Sequence, residues 1–285
     1  MSNLEFSSKY QAPRIFSSSL ENAKEIAALI AAGGIVGIPF GPVEKRIYIL
    51  ATSFDDSESL QRLNEIKGRP KSQTIAIGCL PESTDYFADI NNCPALVRAA
   101  GILEKQRILD VMEHFYKHPV GLIMRAHDHI PQLVTSMGEN MRTVLVIGAI
   151  DYQDPNDIYN NVLWELATGY GKAIAGTSAN PAGTKAFSVI GQEMAYERFK
   201  NSIDAFVQEE IHTERLPLRS HPASTTIIDL TKEYPTVRRW GSTHPERFRK
   251  LLPDLLISRN VSMEDGRESD FDLLKERFKR FIGLY

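Results

Sequence analysis

Two things are scarce in this 285-residue sequence: cysteine and long apolar runs. Only Cys79 and Cys93 are present, without a metal or redox spacing, which argues against a disulfide framework. No run of about 18 apolar residues occurs, and the first residues, MSNLEFSSKYQAPRIF, lack the basic and apolar regions of a secretory signal. We therefore expect a cytoplasmic protein with two reduced thiols and no membrane partner.

A strong charge of one sign is also absent. The net charge of −3 argues against binding nucleic acid through a broad electrostatic footprint, although it leaves room for a local basic cleft. No P-loop is present, because Gly171-Lys172 is followed by Ala173. The stretch from Gly176 to Asn180 lacks the second glycine of a hydrolase nucleophile elbow. An anion site in this chain must therefore be built from local groups.

Helical and strand patterns alternate along the chain, which indicates an α/β layer architecture. Ser19 is a plausible N-cap for a helix that ends at Gly33-Gly34. A second helix must end by Gly68 and Pro70. Further helices are predicted around 158–166 and 188–200, and strands at 35–39, 47–51, 74–78, 119–124, 143–150, 172–176, 203–207 and 225–230.

The sequence shows no internal repeat and no low-complexity linker. We expect one domain over residues 1–243, with 1–17 as an N-terminal extension. Residues 244–285 are charged and helical in pattern, and we interpret them as a C-terminal helical appendage. Its apolar side chains are spaced to dock on the domain: Leu273, Leu274, Phe278 and Phe281.

The first candidate for chemistry is Lys67-Gly68-Arg69-Pro70-Lys71, with three cations in five residues at a helix-to-strand junction. Arginine presents a planar fork for phosphate or carboxylate, and lysine offers a point charge. The cluster suits a nucleotide. A solvated basic turn is the alternative interpretation.

The second candidate is the segment from Gly176 to Thr184, GTSANPAGT, which follows a strand and precedes a helix. Small residues let a ligand approach the backbone, and Ser178 and Asn180 supply a hydroxyl and an amide. A plain turn with an N-cap would use the same residue types.

The third candidate joins PASTTIIDL, from Pro222 to Leu230, with VRRWG, from Val237 to Gly241. Hydroxyls at the mouth of a strand can face a ligand, and paired arginines before a glycine can close on phosphate. An ordinary strand followed by a basic turn is the alternative.

Taken in order, these motifs and FYKHPVGLI, from Phe115 to Ile123, resemble the YrdC-like threonylcarbamoyl-adenylate synthase family. That family typically shows K-G-R-P, F-W-P-G-P-L-T-L, P-S-A-N-x-S-G, S-T-I-V-D-L and L-R-P-G in the same order. Five ordered matches across residues 20 to 243 are far more specific than any one of them.

The resemblance implies a single YrdC-like α/β domain, with a twisted mixed sheet and flanking helices around a large positively charged cleft. It also implies a nucleotidyltransferase that condenses ATP, bicarbonate and L-threonine to threonylcarbamoyl-adenylate and pyrophosphate, for tRNA modification. Carried over by motif, Lys67 and Arg69 would be catalytic. The nucleotide would be bound by Lys67, Ser178, Asn180, Ser224 and Arg239, and the other substrates by Arg69, Tyr48, Thr177 and Thr225.

The physical reading of these residues agrees with such a reaction. Pyrophosphate must leave the α-phosphorus, so the site must hold a polyanion whose charge shifts toward the leaving group. ATP and Mg²⁺ are the expected cofactors, and phosphate oxygens and waters are the expected metal ligands. We therefore name no protein metal ligand. No protein nucleophile is required, because the reacting groups only need to be held in line.

The chain departs from the family where the amino acid would bind. The family's P-T-(D/E)-T-V-Y-G-L is replaced by the stretch from Pro39 to Leu50, which lacks both threonines and contains an insertion of about four residues before Tyr48. The family's P-L-x-V-H is replaced by Thr74 to Gly78, which removes a histidine, and its V-R-x-P by Val144 to Gly148.

Two hypotheses follow from these departures. In the first, the chain is an ATP-dependent carbamoyl-adenylate-forming enzyme with a different amine substrate, since lost hydroxyl and imidazole partners would leave a bound threonine unpaired. In the second, it is a non-catalytic module that binds a nucleotide or double-stranded RNA. The surviving Lys, Arg, Ser and Asn residues favour the enzyme.

Overall fold

The computed structural model describes residues 12–41, 46–68, 74–101, 104–138, 140–148, 157–181, 190–209 and 224–257. These residues form an α/β domain with one large mixed sheet flanked by helices, as the sequence predicted. Side chains along each strand point alternately to the two faces of the sheet, and the two faces are covered by different helices.

Twelve strands in the described ranges make up the sheet, in the order β1-β9-β2-β3-β8-β4-β7-β5-β10-β11-β12, with β6 paired to β7. Both parallel and antiparallel ladders occur; β4 is parallel to β7 and antiparallel to β8. The strand bounds are β1 Arg14–Ser17, β2 Val36–Phe40, β3 Ile47–Ser53, β4 Ala76–Cys79, β5 Val120–Arg125, β6 Thr135–Met137, β7 Arg142–Gly148, β8 Ile174–Ser178, β9 Ala205–Gln208, β10 Thr226–Asp229, β11 Thr236–Arg239 and β12 Leu256–Ile257.

Seven α-helices lie in the same ranges, and local signals fix the ends of several. The Asp56 carboxylate accepts hydrogen bonds from two backbone N–H groups at the start of α2, and Gly68 ends that helix in the left-handed region at φ 58°. At the start of α6 the Asp157 carboxylate accepts a hydrogen bond from the backbone N–H of Asn160, and Gly171 ends that helix at φ 64°. The helix bounds are α1 Leu20–Ala31, α2 Ser57–Lys67, α3 Thr84–Phe87, α4 Pro94–Ala100, α5 Lys105–Tyr116, α6 Ile158–Tyr170 and α7 Gln192–Phe199.

One face of the sheet, called here the packed face, is covered by helices α2 to α5 and α7. Its core contains large, fully buried side chains such as Phe115, Tyr116 and Leu122. The other face, called the cavity face, is covered by α1 and α6, whose buried side chains pack mainly on β2, β3, β8 and β9. The two helices therefore cover one side of this face, and the cavity lies beside them.

The predicted helices and strands are present, with ends shifted by a few residues. The structure also contains elements that the sequence patterns did not predict: β1, β6, β11, β12 and helices α3 to α5. The domain boundaries also differ from the prediction. Residues 14–17, expected in an extension, form β1 and pair with β9. From the expected helical appendage, Phe248, Leu252 and Leu255 belong to the packed-face core and β12 extends the sheet, so the domain continues past residue 243. The docking residues Leu273 to Phe281 lie outside the described residues.

No helix in the described residues has the length and apolar character needed to cross a membrane.

Candidate functional site

A cavity of about 420 Å³ opens on the cavity face. Its floor is the sheet itself, because alternate residues of β3, β8, β4, β7 and β5 point into it. The lining described by the structure combines apolar, hydroxyl and amide groups with one guanidinium: Phe40, Ile47, Ile49, Thr74, Ala76, Gly78, Ile123, Ser136, Thr143, Leu145, Ile147, Tyr159, Ile174, Gly176, Thr177, Ser178, Asn180, Pro181, Ser224, Thr225, Ile227 and Arg239.

Strand register divides this floor into two parts. In the ladders, Gly78 lies between Ile174 of β8 and Ile147 of β7. Two residues nearer the other end of β4, Ala76 lies beside Gly176. These residues make an apolar floor.

The next positions along these strands carry hydroxyls. Ser178 follows Gly176 by two residues in β8, Thr143 precedes Leu145 in β7, and Thr74 precedes Ala76. All three line the cavity and form what we call the hydroxyl edge. The Thr143 hydroxyl is within 2.9 Å of the Ser136 hydroxyl, which ties β6 to this edge. The cavity thus has a polar side and an apolar side along the strand direction.

The segment 178–181, at the end of β8, is held in place by Lys67. The Lys67 ammonium donates a hydrogen bond of 2.6 Å to the carbonyl of Ser178 and a second to the carbonyl of Asn180. Lys67 is buried, with only 6% of its surface exposed, and is not one of the described lining residues. The structure therefore places this predicted catalytic lysine behind the segment, where its charge orients backbone carbonyls.

The Asn180 side chain is hydrogen-bonded to the backbone of Ile190. Its side-chain oxygen accepts a hydrogen bond of 3.0 Å from the backbone N–H of Ile190. The residue is buried and still lines the cavity. One amide therefore both borders the cavity and joins the two ends of the 181–189 stretch.

The third motif brings Ser224, Thr225 and Arg239 to the cavity wall. The Arg239 side chain donates from Nε to the carbonyl of Thr225 at 3.0 Å, which orients the guanidinium toward the lining. Gly241 makes this possible, because a Cβ there would lie 1.9 Å from the carbonyl oxygen of Ser224. The glycine of V-R-R-W-G is thus needed for close backbone approach.

The two adjacent arginines of this motif have different environments. Arg238 donates two hydrogen bonds, of 2.9 and 2.6 Å, to one carboxylate oxygen of buried Asp229. Arg239 lines the cavity. Since neighbouring residues of a strand point to opposite faces, only Arg239 is positioned for a ligand.

Tyr48, predicted to contact the substrate, points away from the cavity. Its neighbours Ile47 and Ile49 line the cavity, so alternation along β3 places Tyr48 on the packed face. There its ring stacks on Phe206 at 4.9 Å, and its hydroxyl bonds the Gln192 side chain. The family position of this tyrosine does not transfer to a cavity contact.

Tyr159 also lines the cavity, although the sequence motifs did not predict it as a site residue. It is the second residue of α6, only 3% exposed, and its ring packs edge-on against Phe40 with centroids 4.9 Å apart. Its hydroxyl lies 2.0 Å from where a Cβ of Gly78 would be, so the glycine makes room for it. Tyr159, Val162, Leu163 and Leu166 share one helical stripe, and a tyrosine in such a stripe was the available signal.

Thr177 and Arg69 are the two remaining predicted site residues. Thr177 lines the cavity, and its hydroxyl is buried without a hydrogen-bond partner in the described part of the chain. Arg69 lies outside the described residues. Of the predicted residues, the structure brings six together at the cavity: Thr177, Ser178, Asn180, Ser224, Thr225 and Arg239.

Comparison with known proteins shows the relationship directly. The Sua5/YciO/YrdC family model, described as "Telomere recombination", matches residues 28–241. No curated protein matched the chain in a sequence search.

Solved structures of low identity share the fold. A double-alanine variant of Sua5 from P. abyssi superimposes with a TM-score of 0.63 at 19% identity, over 86% of this chain and 62% of that one. P. abyssi Sua5 complexed with L-threonine gives 0.62 at 18%, over 88% and 63%. E. coli YciO gives 0.61 at 15%, over 85% of this chain and 100% of its own. The chain thus spans somewhat under two thirds of the Sua5 structures and all of YciO.

Proposed function

The chain belongs to the Sua5/YciO/YrdC family, and we propose that it is an ATP-dependent enzyme that makes a carbamoyl-adenylate from ATP, bicarbonate and an amine or amino acid. The observation that supports this most is the meeting of three separate motifs, with Ser178, Asn180, Ser224, Thr225 and Arg239, around one cavity. Unrelated surface turns would have no reason to converge.

The reaction would proceed in two balanced steps. The amine nitrogen adds to the carbon of bicarbonate and water leaves, which gives a carbamate. A carbamate oxygen then attacks the α-phosphorus of ATP, the bond to the bridging oxygen breaks, and pyrophosphate leaves with the electron pair. The carbamoyl-adenylate would serve as a carbamoyl donor to an acceptor such as tRNA.

The described residues have distinct roles in this proposal. Arg239 would pair with phosphate oxygens, whose negative charge moves toward pyrophosphate during the second step. Ser178, Ser224 and Thr225 would donate hydroxyl hydrogen bonds to phosphate or carbonate. Lys67 would act as a positioning residue by fixing the 178–181 segment, and Arg69 retains its proposed role beside the carbonate.

Mg²⁺ would accompany ATP in this scheme. The described lining offers hydroxyl, amide and guanidinium groups but no carboxylate. Such a lining fits an ion held by phosphate oxygens and waters, which would neutralise the polyphosphate when bound. The residues of the chain then contact the phosphates and not the metal.

L-threonine, the ligand of the P. abyssi relative, is not assumed for this chain. Eight of the described lining residues lie in the three segments that depart from the family pattern: Phe40, Ile47, Ile49, Thr74, Ala76, Gly78, Leu145 and Ile147. The nucleotide side of the proposal therefore has more support than any particular amine.

The test uses neighbouring arginines as a matched pair. Because Arg239 faces the cavity and Arg238 pairs with Asp229, Arg239→Gln should weaken ATP binding about tenfold, and Arg238→Gln should change it less than about twofold. Calorimetric titration with ATP and Mg²⁺ measures both, and pyrophosphate release with bicarbonate and an amine panel measures turnover.

The outcomes separate the two hypotheses. ATP binding without pyrophosphate from any amine would favour the non-catalytic module. A protein that binds no nucleotide would overturn the proposed enzyme, and equal effects of the two substitutions would remove Arg239 from the site.

A further inference from the structure

The apolar floor of the cavity bears on which amine is used. The described residues around Gly78 are aliphatic or aromatic: Ile174, Ile147, Ile49, Ile47 and Phe40. They present no charge and no hydroxyl. A polar side chain placed against them would lose its bonds to water without replacement.

Tyr159 supplies the polar group of this side of the cavity. No residue in the described part of the chain is hydrogen-bonded to its hydroxyl, although the residue is almost fully buried. Burial raises the pKa of Tyr159 above its usual range, so the hydroxyl stays protonated and available as a donor. Because Tyr159 lines the cavity, an oxygen of a bound ligand can accept a hydrogen bond from this hydroxyl.

The location of this hydroxyl is informative. It lies over Gly78 in β4, and β4 lies between β8 and β7 near the middle of the sheet. Two residues away along the strands lie Gly176 and Ala76, which carry no bulky side chain, and beyond them lies the hydroxyl edge. A single donor over an apolar floor is thus followed by a polar region where oxygens of the reacting groups can bind.

From this arrangement, and resting on the proposed function, we propose that the amine substrate is an α-amino acid with an aliphatic side chain. Its side chain packs on the apolar floor, and an oxygen of its carboxylate or of the new carbamate accepts the Tyr159 hydrogen bond. The phosphates then lie toward Ser178 and Arg239. Apolar contact in place of hydrogen bonds selects valine-like side chains over threonine.

Valine and threonine are the sharpest pair of probes, because they have nearly the same shape and differ by one hydroxyl. An apolar pocket discriminates against an added hydroxyl by about 10- to 100-fold. We expect kcat/KM for pyrophosphate release to be at least about tenfold higher with valine, with the carbamoyl-adenylate identified by mass. Isoleucine, leucine and serine extend the series.

Two buried tyrosines provide the matched variants. Tyr159→Phe removes the donor in the cavity, and we expect kcat/KM for valine to fall about tenfold with ATP affinity unchanged. Tyr48→Phe removes a hydroxyl from the packed face and should leave the valine-to-threonine ratio unchanged. Ile147→Thr adds a hydroxyl to the apolar floor and should shift the ratio toward threonine.

Direct binding distinguishes failure of this inference from failure of the proposed function. Valine and threonine are titrated into the full chain with Mg²⁺ and a non-hydrolysable ATP analogue. Tighter valine binding without pyrophosphate release would support the aliphatic pocket and defeat the chemistry. Pyrophosphate release with threonine equal to or better than valine would overturn the pocket assignment alone. Loss of ATP affinity in Tyr159→Phe or Ile147→Thr would show that the adenine lies on the apolar floor, and this would also overturn the pocket assignment. Binding of neither amino acid would overturn it as well.

Discussion

The two faces of the sheet use the same strands in opposite ways. On the packed face the Tyr116 hydroxyl lies 2.7 Å from the Thr84 hydroxyl, inside a core of fully buried side chains. On the cavity face Tyr159 is equally buried, yet its hydroxyl has no partner in the described residues. The packed face thus pairs the Tyr116 hydroxyl within its own core. The cavity face leaves polar groups for a ligand to satisfy.

A pair of glycines gives the largest expected difference between the faces. A Cβ at Gly148 would lie 1.9 Å from two ring atoms of Tyr116, whereas the close contact of a Cβ at Gly78 would be with the hydroxyl end of Tyr159, the far end of that side chain. We expect Gly148→Ala to lower the free energy of unfolding by about 3 kcal/mol, at the upper end for overpacked cores, and Gly78→Ala by about 1 kcal/mol.

Urea denaturation of both variants measures this difference in stability. Titration with the amine substrate measures the effect of each variant on binding. Gly78→Ala should impair amine binding, because the displaced tyrosine enters the cavity, whereas Gly148→Ala should leave binding intact while the protein is folded. A larger loss of stability in Gly78→Ala would show that the cavity face is as tightly packed as the other.

An intermediate effect is expected where the faces are linked by Lys67. Lys67→Met keeps the aliphatic stem but removes the ammonium hydrogen bonds to the carbonyls of Ser178 and Asn180. The free energy of unfolding should therefore fall by about 2 kcal/mol. ATP affinity should fall as the segment loosens. Lys172→Met is the control, since Lys172 also binds a backbone carbonyl, that of Ala31 at 3.1 Å, and pairs with Asp55, but is not one of the described lining residues. ATP affinity that survives in Lys67→Met would remove this lysine's positioning role.

The smallest effect concerns thiols. Cys79 and Cys93 are both buried in the packed face, and burial raises the pKa of their thiols to about 12 and about 11. We expect neither to react with a thiol reagent at pH 8 in the native protein, and both to react in denaturant. Ile147→Cys places a thiol on the apolar floor and should react at pH 8, with protection by ATP and valine. Rapid labelling of the native protein that lacks this substitution would contradict the burial of Cys79 and Cys93.

Much of the fold follows from local sequence signals. Apolar spacing predicted α2 and α6, and Gly68 marked the end of α2; in the structure Gly68 and Gly171 both end their helices in the left-handed region. Helices α3 to α5 were missed, and the edge strands β1 and β12 carry too few residues to show a period. Their places depend on long-range pairing.

The candidate site was partly predictable for a similar reason. Hydroxyls and Arg239 were identified from residue type and motif order, and they meet at the cavity. The face on which Tyr48 lies depends on strand register, and the partners of Lys67 are backbone carbonyls that no side-chain pattern reveals. Tyr159 is more than 100 residues from Phe40 in sequence, and only tertiary packing brings the two rings together.

The order of strands in the sheet has a consequence for biosynthesis. The cavity takes residues from Phe40 in β2 through Arg239 in β11, and the core of the packed face also includes Leu255. A ribosome must therefore synthesise nearly all of the described sequence before the binding site can exist. Until β10 emerges, one edge of β5 has unpaired backbone groups, so the incomplete chain has an edge open to pairing with other chains.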